Sequence, residues 1–177
     1  DIYTTPTNEF ARDYARLSGI EPIYVDNLVD VVSQQPVSKF LGIFQGDIHP
    51  ILADLDSDFG HDIHYCQSRS NFLEMIHRDV SKWTAVKHLA DSWGIDAANI
   101  LTVGDQENDL QMLANAGVGV AMGNAPAHVT AVAALQTASI TDDGAALVLE
   151  HVLANGHIDF SALPPGVSVN VHEGAKR

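Results

Sequence analysis

Hydrophobic positions change their spacing near residue 79. Before that point, short helical and alternating stretches are mixed. Residues 8–17 predict a helix with Phe10, Tyr14 and Leu17 on one face and Gly19 as its stop. Residues 23–25 and 39–44 predict strands, the second preceded by Pro36. Residues 48–59 place Ile48, Ile51, Leu52, Leu55 and Phe59 on one helical face. Residues 63–67 and 72–76 predict two strands around a turn near Arg69, Ser70 and Asn71, with Phe72, Glu74 and Ile76 sharing a face by period two. These elements make an α+β module with an antiparallel sheet.

After residue 79, helices and short apolar strands alternate. Ser81 is a good N-cap for a helix running to about Trp93, with Trp83, Val86, Leu89, Ala90 and Trp93 as its apolar stripe and Gly94 as its end. Strands are expected at 100–103, 118–122 and 136–138, and helices at 107–115, from Pro126 to about Ala134, and at 143–153. Strict alternation of this kind predicts a parallel sheet with right-handed crossovers. The tail, 158–177, contains Pro164-Pro165-Gly166 and little periodicity, so loose attachment is expected there.

Composition narrows the function classes. Hydrophobic residues make up 46% of 177, enough for a buried core. The formal net charge of −14 disfavours nucleic acid and anionic membranes as partners. No apolar run is long enough to span a membrane. The start, DIYTTPTNEF, has no signal-peptide pattern and no Met, so a processed chain or a fragment is expected. Cys66 is the single cysteine, expected to be a buried structural thiol. A reducing, cytoplasmic setting fits it.

The candidate chemistry lies in LTVGDQEND, residues 101–109. Ligands of open α/β sheets sit beyond the carboxyl ends of the strands. Gly104 lets the backbone turn and approach a ligand, and Asp105 projects from the strand end. Glu107, Asn108 and Asp109 follow, a set of hard oxygen donors suited to Mg²⁺. The same acids would stabilise a helix N-terminus without any metal. An EF-hand loop is excluded because Leu110 stands where that loop needs Gly. Lys82, in a helix's first turn, opposes the dipole unless phosphate sits there; otherwise it is a solvated lysine. His49, His61, His64 and His77 are expected to be surface or pairing residues, since i and i+3 on a strand face opposite sides.

Three stretches, NFLEMIHRDVSKWTAVKHLADSWGI, NILTVGDQENDLQMLANAGVGVAMGNAPAHV and TDDGAALVLEHVL, carry SK, GDxxND, AG and MGNA in order. Over about 71–153 the chain resembles the C-terminal part of Cof-type haloacid dehalogenase-like phosphatases. Residues 3–67 resemble the latter part of that family's cap, with weaker motifs. The resemblance implies an α/β fold: part of a haloacid dehalogenase-like Rossmannoid parallel sheet (79–157), a partial α+β cap with antiparallel sheet and helices (1–78), and a tail (158–177).

It also implies a chemistry. In the family an Asp attacks a phosphomonoester, a second Asp acts as acid and base, and Mg²⁺ bridges phosphate and carboxylates. By this resemblance Lys82 and Asn108 bind phosphate, Asp105 binds Mg²⁺, and Asp109, with Gly104 beside it, supports them. Asn124 is expected to shape its loop and cap the Pro126 helix. The substrate would be a small phosphorylated metabolite such as a sugar phosphate. The family's Asp-x-Asp-Gly motif has no counterpart here; Asp54, Asp56 and Asp58 lie in a helical pattern without the Gly. No catalytic residue is therefore assigned, and the chain alone is expected to be inactive. The rival expectations are a non-catalytic module that dimerises through an exposed sheet edge, and a receiver domain phosphorylated at Asp105. Trp83, where Gly is common, and Thr130, where Lys is frequent, are milder departures from the pattern.

Overall fold

The computed structural model describes residues 1–46, 48–69 and 71–170. It is a mixed α/β structure with three small sheets. The first is a parallel pair, β1 (Tyr3–Thr4) and β2 (Ile23–Tyr24), joined by α1 (Ala11–Ser18). The helix starts three residues later than expected. A turn intervenes, with the Asn8 amide donating to Thr5 O at 3.1 Å and Asn8 Nδ2 to Thr4 Oγ1 at 3.0 Å. Gly19, at φ +70°, closes the helix in the left-handed region that favours glycine. Ala11 and Ala15 form the buried face, while Leu17 lies outside it. Tyr14 meets Phe72 ring to ring at 5.9 Å, tying α1 to the next sheet.

No element is expected over 28–34, yet α2 (Leu28–Gln34) forms there, capped by Asn27, whose Oδ1 accepts from the Val29 amide at 2.9 Å. The antiparallel sheet has the order β3 (Phe40–Ile43), β5 (Phe72–His77), β4 (Ile63–Arg69). Glu74 on the central strand pairs with Leu41 on one side and Cys66 on the other. A register shift falls between Gln67 and Arg69. Ser70, at the expected turn, lies outside the described residues. Helix α3 (His49–Phe59) has Ile48 buried at its start, and the Tyr65 hydroxyl donates to Leu55 O at 2.9 Å. Ile51 and Phe59 are more exposed than the amphipathic pattern predicts.

The third sheet runs β6 (Leu101–Gly104), β7 (Val118–Ala121), β8 (Leu135–Gln136), β9 (Ser168–Val169); the first three are parallel and β9 is antiparallel. Successive residues of β7 go to opposite faces. Ala121 packs with Leu113, Val129 and Ala133, and Val120 packs with Leu135, Val148 and Val167. Helices α5 (Leu110–Asn115) and α6 (Ala127–Thr130) bring Leu113 and Val129 to one face, and α7 (Gly144–Asn155) brings Val148 to the other.

Helix α4 (Lys82–Ser92) opens with reciprocal bonds between Ser81 and Thr84: the Thr84 amide donates to Ser81 Oγ and the Ser81 amide to Thr84 Oγ1. Its expected stripe is only half used. Ala90 is buried, but Leu89 and Trp93 are exposed, Trp93 by 70%. β6 and β9 are the edge strands of this sheet among the described residues.

The tail corrects the expectation of loose attachment. Residues 158–170 fold back: Val167 is buried, Ile158 and Leu163 pack on the core, and β9 pairs with β8. Asn170 closes the segment, its Nδ2 donating to Thr130 O at 3.2 Å and to Ala133 O at 3.0 Å. The physical reason is that three apolar residues, spaced irregularly, bury without any helical or strand period. Residues 171–177 lie outside the described residues.

Candidate functional site

The carboxyl ends of β6, β7 and β8 place Asp105, Asn124 and Ser139 at one edge of the parallel sheet. Asp105 leaves β6 directly after Gly104. A 3₁₀ turn (Glu107–Asp109) follows and runs into α5. The N-terminal turn of α4 approaches from the side, and Lys82 Nζ donates to Asp109 Oδ1 at 2.5 Å.

Asp109 is the organising group. It is 3% exposed. Its Oδ1 takes Lys82, and its Oδ2 accepts from the backbone amides of Asp105 at 3.0 Å and Gln106 at 3.1 Å. A buried carboxylate is tolerated because a cation and two amides satisfy it. These bonds set the direction in which the chain leaves β6. They also engage Asp109 fully, so it orients its neighbours rather than serving as an open ligand.

Gly104 has a different reason from the one expected. It does not adopt a positive φ. A Cβ built on it would lie 2.5 Å from Asp109 Cβ and 2.6 Å from Asp109 Cγ. Glycine is needed there because the carboxylate packs onto the backbone.

Asp105 Oδ2 accepts from Asn124 Nδ2 at 2.9 Å and more distantly from Gln106 Nε2 at 3.4 Å. Asn124 Oδ1 accepts from the Ile140 amide at 3.0 Å. Asn124 thus bridges two loops; no side-chain cap bond to the Pro126 helix is made. Only its place in MGNA pointed to it in the sequence. Glu107 is exposed, 3.9 Å from His128 Nε2.

Asn108 Oδ1 is buried and has no hydrogen-bond partner among the described residues. Buried polar atoms are seldom left this way. An amide oxygen and the Asp105 carboxylate are hard donors of the kind Mg²⁺ takes. Among the described residues no group of three or more His, Cys, Asp or Glu side chains could hold a metal. That is compatible with Mg²⁺, which usually takes only one or two protein carboxylates, with water and phosphate oxygens completing its shell. The donor set therefore fits the ion.

The antiparallel sheet reaches this corner through β4. Burial pushes the Cys66 thiol up to about 11, with Glu74 and Glu107 adding to the shift and Lys39 and Lys82 opposing it. Cys66 is buried, as expected. Lys39 Nζ donates to Glu74 Oε2 at 3.2 Å. Asp54, Asp56 and Asp58 lie on α3 and are exposed, so they form no strand-end acid pair. His61 and His77 are exposed, and His64 sits in β4.

The family model described as haloacid dehalogenase-like hydrolase matches residues 7–149. A Haemophilus influenzae protein is 43% identical over 96 residues, covering 54% of this chain and 36% of its own. Phosphatase YwpJ of Bacillus subtilis is 34% identical over 96 residues, 54% of this chain and 34% of its own. The crystal structure of TM0651 from Thermotoga maritima superposes with a TM-score of 0.70 at 30% identity, over 90% of this chain and 59% of that one. The chain therefore spans about a third of the length of these two sequence relatives and 59% of the solved structure.

Proposed function

The chain belongs to the haloacid dehalogenase-like hydrolases, and from that premise we propose that it supplies the Mg²⁺ and phosphate-binding half of a phosphomonoesterase for small phosphorylated metabolites. One observation carries the reading: Lys82, Asp105, Asn108 and Asp109 converge at the carboxyl end of β6, with Asn108 Oδ1 buried and unpartnered. In this reading Asp105 and Asn108 hold the ion and phosphate, and Lys82 faces the phosphoryl oxygens. Asp109 fixes Lys82 and the Asp105 backbone. Gly104 makes room for that carboxylate.

When bound, the ion neutralises charge on the phosphoryl group. The protein's part is positioning. Lys82 is held at the first turn of an 11-residue helix, where free amides also favour an anion. The covalent step needs a carboxylate nucleophile. Asp54, Asp56 and Asp58 lie on α3, so none of them stands at a strand end as that group, and in this reading a longer form supplies it. The relatives support a phosphatase. One of them, from Bacillus subtilis and 37% identical over 78 residues, is named a 5-amino-6-(5-phospho-D-ribitylamino)uracil phosphatase, consistent with a small polyol phosphate here.

The test is hydrolysis of p-nitrophenyl phosphate with Mg²⁺. This chain alone is expected to give little turnover. A longer form carrying an Asp-x-Asp-Gly segment is expected to turn over, and to lose most of its rate in Asp105→Ala. Robust turnover by the 177 residues, lost in Asp105→Ala, would overturn the division of labour. Stable phosphorylation of Asp105 by acetyl phosphate would instead favour a receiver domain.

A further inference from the structure

Asn124 lies outside the residues assigned to metal and phosphate, and its side chain is engaged at both ends. Nδ2 donates to Asp105 Oδ2 at 2.9 Å, and Oδ1 accepts from the Ile140 amide at 3.0 Å. The side chain spans from the end of β6 to the loop after β8, across the end of its own strand β7. Both ends are anchored. The Gly123 amide donates to Ala138 O at 3.0 Å. A Cβ on Gly123 would lie 2.8 Å from Ser139 N and 2.9 Å from Thr137 O, so the two loops touch backbone to backbone. The Ile140 turn is itself braced, with Ser139 Oγ donating to Asp142 Oδ2 at 2.6 Å. Asp143 follows at φ +53°, the left-handed region that a non-glycine residue seldom occupies.

We infer that Asn124 is a positioning residue for the metal corner: by holding Oδ2 of Asp105, it directs Oδ1 toward the cation. The inference rests on the metal reading above and adds a residue to it. A free Asp side chain at a strand end samples several rotamers. A carboxylate fixed through one oxygen presents the other in a single direction, and binding then costs less ordering. The loop after β8 thereby acts on the metal corner without touching the ion.

Mn²⁺ titration of this chain, followed by the electron paramagnetic resonance signal of the free ion, tests the role without relying on turnover. Asp105→Ala is expected to lose the site. Asn124→Ala is expected to bind about tenfold more weakly, with a melting temperature close to that of the parent without metal. Asn124→Gln, which keeps an amide, is expected to recover part of the affinity. Ile140→Pro, which removes the amide that anchors Asn124 Oδ1 along with an exposed side chain, is expected to fall between parent and Asn124→Ala. Proline is compatible with a first turn entered from an extended Ser139.

Unchanged Mn²⁺ affinity in Asn124→Ala, with Asp105→Ala still deficient, would overturn the positioning role and leave the metal site standing. Equal losses in Asn124→Ala and Asn124→Gln, accompanied by equal falls in melting temperature, would reduce Asn124 to a structural loop residue. A parent chain that titrates like Asp105→Ala would overturn the metal reading and this inference with it.

Discussion

Gly104 and Asp109 form a tight residue-level constraint at the end of β6. The Asp109 side chain occupies the space a Cβ at 104 would need, and it holds the amides of Asp105 and Gln106 through Oδ2. Gly104→Ala must therefore push a satisfied, buried carboxylate off two amides and off Lys82. Overpacking of this kind costs about 1–3 kcal/mol. The expected outcome is an unfolding free energy from urea titration lowered by that amount, together with weaker Mn²⁺ binding. A fully stable Gly104→Ala protein would mean that Asp109 can relocate freely. Cys66 gives a pH-dependent counterpart. Its folded thiol titrates near 11, above its ordinary value near 9, so the folded state holds the proton more tightly. The resulting contribution is fully present below about pH 9 and is lost as pH rises toward 11. The difference in unfolding midpoint between the parent and Cys66→Ala is expected to shrink across that window. A difference that stays constant with pH would show that the folded thiol titrates as an unfolded one does.

The elements separate what period and capping make legible from what they do not. β6, β7 and α4 were readable because their apolar runs are bounded by strong signals, Ser81 and Gly94 above all. The places of Asp105, Asn108 and Asp109 were legible for the same reason, since they follow a short apolar strand, and Lys82 was legible as the first turn behind the Ser81 cap. Helix α2 was missed because its signal is one capping Asn27 before a β-branched run. The Trp93 stripe was overread: period identifies a face but not whether anything covers it. Asn124 reads from the sequence as a loop-shaping and capping residue because its two partners are 19 and 16 residues distant, and no spacing rule reaches that far. The tail failed similarly, since β9 is two residues long and is fixed by Val167 burial and by Asn170. Asn170→Ala removes two side-chain bonds to the α6 end, worth about 1–2 kcal/mol together. Amide exchange at residue 170, whose N–H bonds to Ala134 O, is expected to accelerate roughly tenfold. Unchanged protection would mean that the apolar contacts of Ile158, Leu163 and Val167 and the β8–β9 pairing dock the segment without the Asn170 side chain.

At the scale of the whole molecule, a net charge of −14 is the dominant long-range term. Part of it is concentrated on α3, where Asp54 and Asp58 are four residues apart and no basic residue lies in the last turn. Like charges at that spacing repel, and acids near a helix C-terminus oppose the dipole. Monovalent salt screens both effects over about 10 Å at 0.1 M. Raising NaCl from low to moderate concentration is therefore expected to raise the melting temperature by a few degrees, at about 1 kcal/mol of relieved repulsion. A divalent ion held at the β6 corner adds something that screening does not. It stabilises through binding linkage, growing with concentration over its Kd. At matched ionic strength MgCl₂ should then exceed NaCl in the parent, and the excess should vanish in Asp105→Ala while the NaCl response persists. The two contributions are separable because one depends on total charge, which Asp105→Ala changes only from −14 to −13, and the other on a single carboxylate. Equal responses to the two salts in the parent would assign all of the stabilisation to screening and leave the strand-end cluster with no measurable hold on the ion.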